Sequence, residues 1–397
     1  MVSVACMILL VLSTLHLALG IDFVVFPESP YDEALCSEIT RNLYEVLGVT
    51  RVEVHRSAKL MTTWFWYIQA SEAQKERIKK WRGVKDVVKN APISSNNGMI
   101  VSNSSTVFED SQLNKTALTA EFGAFQRDAP EDLALVSWPP DTPLPSFSDI
   151  EGYYHNPVGG RGTFIYVIEN GINLGNDEFQ DMPGGQPEWY RPRSSPSHDW
   201  AKDSDKDGHG SCVASKAAGR ITGVSKNSRL VIMKSSHWMY DELSAWENII
   251  NDIIQKGRGG RSVVVYARST YPTRYSRTAP LASLPSEWQQ IRLLMEAIVK
   301  LDVSIVVSAG NSRTETSGLD TLPSAWLGQF PLVVVGAVTL TGAYTSWTQG
   351  IVQSTGADNQ VFWAPGDDIE CANGPTEPGL RYQSGTSFAA GMVGARV

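Results

Sequence analysis

The sequence is poor in positive charge. Its 397 residues include 34 lysines and arginines against 42 aspartates and glutamates, which gives a net charge of −8. This balance argues against nucleic acid as a partner and supplies no basic patch for a membrane surface. Hydrophobic residues make up 42% and charged residues 19% of the chain, as in ordinary globular proteins, so a sizeable core can be buried. The length suggests about two to three domains.

The sequence has one long apolar run, and no other segment could cross a bilayer. The run covers residues 1–20, lacks lysine and arginine, and ends with the small-x-small pattern Ala18-Leu19-Gly20. It is short for a membrane span with flanks. We therefore interpret residues 1–20 as a cleaved signal peptide and expect a secreted, extracellular protein.

Cysteines are few. Cys6 would leave with the signal, and three remain at Cys36, Cys212 and Cys371. Because three is an odd number, at least one is free or paired with another molecule, which excludes a disulfide scaffold. The sequons at Asn103 and Asn114 predict N-glycosylation of an exposed segment.

Residues 21–92 predict a small α+β domain. Apolar residues at helical spacing mark residues 31–47, and Ser71 to Gln74 form a capping box that opens a second helix. Four strand patterns complete a β-α-β-β-α-β order, the ferredoxin-like arrangement. His55 is expected at the surface. Residues 93–128, rich in serine and asparagine, predict a polar linker.

Residues 129–397 predict a parallel sheet with helices on both faces, because strand and helix patterns alternate. In such sheets, sites form beyond the carboxyl ends of the strands. Glu169 and Asn311 both lie at such ends.

Three segments carry candidate chemistry. Gly385-Thr386-Ser387 leads into a small-residue helix, which places Ser387 where a nucleophile can use the positive end of the helix dipole. His209 lies between two glycines at the start of another helix, and Asn311 is suited to donate to an oxyanion. Taken singly, each has a plainer interpretation: a helix cap, a loop histidine and a turn asparagine.

Together these residues follow the acid–His–Ser order of subtilisin. The chain resembles the subtilisin-like serine peptidases over residues 129–397, and residues 129–137 resemble the mature start of fungal secreted members. The segments that carry the resemblance are Tyr166–Asn173, Asp207–Ser215, Ser308–Asn311, Ala364–Gly366 and Gly385–Ser387.

The resemblance implies a subtilisin-like three-layer α/β fold with a mostly parallel sheet, preceded by a ferredoxin-like propeptide domain at residues 21–92. It implies a serine endopeptidase that acts on polypeptide substrates and is made as a zymogen inhibited by its own propeptide. Ser387 would be the nucleophile, His209 the general base, Glu169 its orienting acid and Asn311 the oxyanion donor. No cofactor is required for this chemistry. No metal ligand is assigned, and the structural calcium usual in the family cannot be mapped onto particular residues.

The same resemblance implies that the substrate lies along Ala267, Arg268, Ser269 and Gly310. This segment departs from the family, which usually has Ser-x-Gly after the strand. Arg268 is expected either to favour an acidic substrate side chain or to point to water.

Three further departures from the family concern the orienting acid and the segment that follows Ser387. The family ordinarily has Asp where this chain has Glu169, and a carboxylate misplaced by about 1 Å can lower the rate by on the order of 10²-fold. Gly391 stands where the family usually has proline. The chain also ends at Val397, soon after Ser387, so the predicted peptidase domain is short at its carboxyl end.

Two further sequence patterns near His209 suggest other roles. Asp203–Gly208 imitates a calcium loop, but the twelfth position is Ala214 and not Glu, so a solvated acidic loop is preferred. Cys212 is expected to be a buried free thiol beside the active site.

Two functions from different classes therefore stay open. The first is a secreted serine endopeptidase, whose activity these departures could weaken or abolish. The second is a catalytically inactive subtilase-fold protein that binds peptides. A lipase-type hydrolase is disfavoured because the second glycine of the nucleophile elbow is missing, and a sedolisin-like peptidase is disfavoured by the full His209 motif.

Overall fold

The computed structural model describes residues 20–93, 118–120, 123–138, 152–193, 205, 207–268, 280–312, 318–351, 361–374 and 379–397. Several sequence predictions lie outside these residues. They are the signal peptide apart from its last residue, the sequons at Asn103 and Asn114, Ser269, and most of the acidic loop before Asp207.

The chain divides into two compact units. One comprises the residues up to Pro92 together with Leu284–Leu294, and the other comprises Ile93–Ser283 and Met295–Val397.

The first unit contains the predicted β-α-β-β-α-β order. Its elements are β1 (Ile21–Pro27), α1 (Glu33–Leu47), β2 (Val52–Ser57), β3 (Thr62–Ala70), α2 (Glu72–Ile78) and β4 (Val84–Lys89). The strands form one antiparallel sheet in the order β2-β3-β1-β4. The Ser71–Gln74 capping box is present: the main-chain amide of Gln74 donates to the Ser71 hydroxyl oxygen at 3.2 Å, and the main-chain amide of Ser71 donates to Gln74 Oε1 at 2.9 Å.

The prediction that His55 lies at the surface is wrong. Its side chain is 6% exposed and stacks on the Phe65 ring with centroids 4.1 Å apart. Glu53 lies 3.3 Å from its Nε2. Alternation along β2 puts His55 on the face opposite Val54, and that face is also covered.

The second unit is built on a seven-stranded parallel sheet, as predicted. The elements after residue 92 are β5 (Leu118–Ala120), β6 (Gly123–Gln126), α3 (Glu131–Val136), β7 (Tyr153–His155), β8 (Phe164–Glu169), β9 (Glu188–Tyr190), α4 (His209–Ala218), β10 (Arg229–Lys234), α5 (Met239–Lys256), β11 (Ser262–Tyr266), α6 (Ser286–Val299), β12 (Ser304–Ser308), β13 (Val333–Val338), β14 (Val361–Pro365), β15 (Ile369–Ala372), β16 (Leu380–Gln383) and α7 (Thr386–Gly394). Helix α6 begins in the first unit, which includes Leu284–Leu294, and ends in the second. The strand order in the seven-stranded sheet is β14-β13-β12-β11-β8-β10-β9.

The linker prediction for residues 93–128 is wrong for its last part. Strand β5 pairs antiparallel with β6, and β6 pairs antiparallel with β7. Main-chain pairing therefore fixes residues 118–120 and 123–126, although the sequence there is mostly polar or small.

Helices α4 and α7 form a buried layer on the sheet. Val213 and Ala217 from α4 and Phe388 from α7 belong to one apolar cluster with Val167 and Val265 of the strands. A Cβ atom on Gly391 would lie 2.7 Å from the Val213 carbonyl oxygen, closer than packed atoms allow. The glycine at this departure from the family pattern therefore permits the close approach of α7 to α4.

The expectation that Cys212 is a free thiol is wrong. Cys212 of α4 and Cys371 of β15 form a disulfide, with their Cα atoms 4.9 Å apart and 159 positions apart in the sequence. Cys36 is the buried free cysteine among the described residues. The odd cysteine count correctly required one unpaired residue, but it left open which two would pair.

Among the described residues, no helix combines the length and apolar character that crossing a membrane requires.

The disulfide predicts a measurable contribution to stability. Replacing Cys212 and Cys371 by alanine should lower the free energy of unfolding by about 2–5 kcal/mol, because a cross-link over a long loop restricts the unfolded chain. Thermal unfolding of the double variant, compared with Cys36→Ala, measures the difference. Non-reducing peptide mapping that recovers the 212 and 371 peptides unlinked would contradict the pairing.

Candidate active site

Glu169 is the last residue of strand β8, which lies between β11 and β10 in the sheet. Its side chain is fully buried, and its carboxylate oxygen Oε1 lies 3.0 Å from Nδ1 of His209. The distance is that of an ion pair. The longer Glu side chain therefore does reach the imidazole, despite the misplacement expected from its extra methylene.

A glycine makes this contact sterically feasible. Gly210 follows His209 in the first turn of α4, and a Cβ atom there would lie 2.1 Å from the Gly171 carbonyl oxygen and 3.0 Å from Glu169 Cβ. Only a residue without a side chain lets the end of β8 approach the start of α4 this closely. Gly210 thus allows the main chain of α4 to approach the end of β8. His209 itself is 2% exposed and therefore buried.

The two charges perturb each other. Burial alone would raise the pKa of Glu169, but the neighbouring His209 and Arg268 outweigh it and lower that pKa to about 2. Burial likewise lowers the pKa of His209, whereas Glu169, Asp207 and Asp205 raise it, and the net direction is upward from 6.5. Glu169 is therefore ionised at neutral pH and favours the imidazolium form of His209.

Ser387 is the second residue of α7, as expected for a serine at a helix N-terminus. Its hydroxyl donates to the Ala267 carbonyl oxygen at 2.8 Å, and it makes no hydrogen bond to His209 in the described structure. The His209 ring does lie next to this turn, with its centroid 5.4 Å from that of Phe388. His209 thus lies beside the turn that carries Ser387, and the two residues are not hydrogen bonded.

Asn311 follows β12 and is fixed by the same turn. Its Oδ1 accepts hydrogen bonds from the Thr386 amide at 3.0 Å and from the Thr386 hydroxyl at 2.8 Å. The preceding Gly310 amide donates to the Thr386 hydroxyl at 3.1 Å. The side-chain oxygen of Asn311 is thus held on Thr386, the first residue of α7.

The expectation for Arg268 is wrong. The side chain is 1% exposed, and its Nη1 donates to Glu242 Oε1 at 2.5 Å. The guanidinium therefore points neither to water nor to a substrate side chain. Sequence reasoning missed this because Glu242 lies on α5, and no short-range pattern links the two residues. The substrate-binding parts of Ala267, Gly310 and Ser269 remain predictions.

Asp205 was also missed. It was interpreted as part of a solvated loop, yet it is fully buried, and its Oδ2 accepts from the Ser211 amide at 2.7 Å and hydroxyl at 2.5 Å. Ser211 in turn accepts from the Asn173 amide at 2.8 Å. Burial is the largest cause that raises the pKa of Asp205 to about 7. This network ties the start of α4 to the segment after β8.

The comparisons with known proteins agree with this geometry. The subtilase family of peptidases matches residues 160–397. The subtilisin-like protease 1 of Pseudogymnoascus destructans is 25% identical over 68% of this chain and 60% of its own length. The alkaline extracellular protease of Yarrowia lipolytica is 27% identical over 61% of this chain and 48% of its own length. The matched part thus spans about half to 60% of these relatives.

Among solved structures, the epidermin leader peptide processing serine protease of Staphylococcus aureus has a similar fold. The TM-score is 0.60 at 12% identity, with 95% of this chain and 86% of that chain covered. At this identity the likeness concerns the fold alone. Since the family matches more than half of the chain, the chain belongs to the subtilase family of serine peptidases.

Proposed function

We propose that the chain is a secreted serine endopeptidase that hydrolyses peptide bonds through Glu169, His209 and Ser387. One observation carries the proposal: a fully buried carboxylate lies 3.0 Å from a buried imidazole, and that imidazole lies beside the N-terminal turn that holds the serine. Burying an ion pair is costly, and a pair placed at the carboxyl edge of a parallel sheet has an evident catalytic use.

The reaction begins with a proton transfer. Rotation about the Cα–Cβ bond of Ser387 moves its hydroxyl away from the Ala267 carbonyl oxygen, and the hydroxyl then donates to Nε2 of His209. His209 takes the proton as the Ser387 oxygen forms a bond to the substrate carbonyl carbon. Ionised Glu169 stabilises the imidazolium through Nδ1, which is the part that the acid plays in such triads.

The negative charge that develops on the substrate oxygen needs donors. Asn311 Nδ2 and the Ser387 amide at the start of α7 supply them, together with the positive end of the helix dipole. The peptide C–N bond then breaks, and the amine leaves with the proton from His209. Water, deprotonated by His209, releases the acyl group and restores Ser387. These steps use only protein groups, so we propose that no cofactor is required.

The region before the peptidase domain is proposed to be its inhibitory propeptide. Within the first unit, Asp86 Oδ2 accepts from the Ser286 hydroxyl at the start of α6 at 2.8 Å, and Lys85 donates to Gln289 at 2.5 Å. A carboxylate at a helix N-terminus is favoured by the dipole. The β-α-β-β-α-β region thus has specific polar contacts to Ser286 and Gln289, which belong to the same compact unit.

Secretion is supported by the apolar segment at residues 1–20 with its small-x-small end. The printed name of the Yarrowia lipolytica relative also calls that protein extracellular. We propose the same compartment for this chain, with polypeptides as its substrates and with glycosylation at Asn103 and Asn114.

One observation favours the alternative, a subtilase-fold protein that binds peptides without cleaving them. The Ser387 hydroxyl is committed to the Ala267 carbonyl oxygen and not to His209. Rotation of the Ser387 side chain would exchange its hydrogen bond to Ala267 for one to His209. Catalytic hydrogen bonds often form fully only when substrate is bound. The two functions are therefore distinguished by the reactivity of the serine.

Labelling by a fluorophosphonate tests this reactivity directly. The purified full chain should be labelled once incubation has allowed release of residues 21–92, Ser387→Ala should not be labelled, and Ser384→Ala should be labelled like the native chain. Ser384 is a matched control because it is also buried on the approach to α7 but bonds to Asp367. A labelled species of reduced size would indicate loss of residues 21–92. If folded native chain stays unlabelled, the peptidase proposal fails and the binding protein remains.

The titration of His209 predicts the pH dependence. Only neutral imidazole accepts the serine proton, and the pKa of His209 is raised, so kcat/KM should fall as pH drops through a midpoint above 6.5. Glu169→Gln removes the main charge that raises this pKa, so the midpoint should move down while kcat falls roughly 10⁴-fold. The pH–rate profiles of both proteins provide the measurement. An unchanged midpoint in Glu169→Gln would exclude Glu169 as the partner of the base.

The oxyanion donor is tested separately. Asn311→Leu keeps the size of the side chain but removes its donors, so kcat should fall on the order of 10²–10³-fold with little change in KM. Thr386→Val is the control, because it removes the hydroxyl that helps to anchor Asn311 and leaves the donors in place. Equal losses in the two variants would show that anchoring, and not donation to the oxyanion, explains the effect.

A further inference from the structure

The two residues that follow β11 contact both ends of the proposed triad. Ala267 accepts the hydrogen bond of Ser387 through its carbonyl oxygen, and the next side chain, Arg268, reaches Glu169. Strand β11 is the direct neighbour of β8 in the sheet, with Val265 paired to Val167. This adjacency brings the Arg268 guanidinium to the carboxyl end of β8.

Arg268 is bound on several sides. Its Nη1 donates to Glu242 Oε1 at 2.5 Å. Its Nη2 donates to Asn170 Oδ1 at 2.7 Å and to the Ser235 carbonyl oxygen at 3.0 Å, and lies 3.5 Å from Glu169 Oε2. Groups from α5, from the segment after β10 and from the end of β8 thus hold one guanidinium.

The two oxygens of Glu169 have different partners. Oε2 accepts from the Asn170 amide at 3.2 Å and faces Arg268, while Oε1 faces His209. Arg268 also holds the Asn170 side chain, so it acts on Oε2 both directly and through the neighbouring residue. The last torsion of a Glu side chain is broad and only loosely fixed by its own chain. A residue that binds Oε2 therefore sets the direction of Oε1.

We propose that Arg268 is a positioning residue, which holds the Glu169 carboxylate so that one oxygen is directed at Nδ1 of His209. Glutamate in place of the family's aspartate has an additional torsion, and the buried guanidinium compensates for that freedom. The inference rests on the proposed peptidase function.

The charges around this cluster agree with the assignment. Burial opposes the charge on Arg268, but Glu169 and Glu242 raise its pKa, so it stays a cation. Burial and the Arg268 charge lower the pKa of the nearby His237 to about 3, so that histidine is neutral. The other charged groups that act on His209 are Glu169, Asp207 and Asp205.

Arg268→Lys is the informative variant. Lysine keeps the charge but lacks the planar fork that bonds Glu242 and Asn170 at once. We expect kcat to fall by on the order of 10²-fold with KM little changed, because the carboxylate is displaced. We also expect the midpoint of the pH–rate profile to move down towards 6.5, because the displaced Glu169 carboxylate, which raises the pKa of His209, lies farther from the imidazole.

Arg258→Lys is the matched control. Arg258 is also buried and bonds two carboxylates, Asp252 at 2.6 Å and Glu188 at 2.5 Å, but it touches no proposed catalytic residue. The kcat of Arg258→Lys and the midpoint of its pH–rate profile should match those of the native chain. Fluorophosphonate titration normalises kcat to active protein, and the midpoint does not depend on how much of the protein is folded.

A second comparison distinguishes positioning of the Glu169 carboxylate from a general effect of the substitution on the protein structure. In a Glu169→Gln background, Arg268→Lys should cost far less in kcat than it does in the native chain, because the carboxylate to be positioned is absent. An equal loss in both backgrounds, or an unchanged midpoint and kcat in Arg268→Lys, would overturn the inference while leaving the peptidase proposal standing. A folded native chain that is not labelled would overturn both.

Discussion

The buried charge of Glu169 is the constraint on which the site depends. A carboxylate with no exposure is very costly without partners, and the structure supplies them in His209, Arg268 and the Asn170 amide. Each partner comes from a different part of the chain, so the burial of one acid requires β8, α4 and the segment after β11 to meet. Gly210 is then required, because any side chain there would separate α4 from the end of β8.

The same constraint gives a reason for departures from the family that, in the sequence, suggested decay. Glu169 is longer than the usual aspartate, yet it lies 3.0 Å from His209, and Arg268 lies at its other oxygen. Gly391 allows α7 to pack against α4. The substituted residues therefore fit one another in space, and the Ser387 hydroxyl bonds the Ala267 carbonyl oxygen in this arrangement.

Much of the architecture could be predicted because it is encoded locally. Apolar alternation and helical spacing gave the order of elements in both units, and the Ser71–Gln74 cap was found where the sequence placed it. The candidate residues Glu169 and Asn311 follow strands, and His209 and Ser387 open helices, so short motifs located them. What failed were contacts between distant segments: the environment of Arg268, the burial of His55 and Asp205, and the pairing of Cys212 with Cys371.

The sequence by itself determined the parallel α/β class, the order of acid, histidine and serine, and membership in a peptidase family, because strand periodicity and motif spacing are properties of neighbouring residues. Only the tertiary structure decided which oxygen of Glu169 faces His209, that Arg268 holds the other, and which cysteines join. Those outcomes depend on separations of 2.5–3.5 Å between residues far apart in the chain, and such distances exist only once the strands lie side by side.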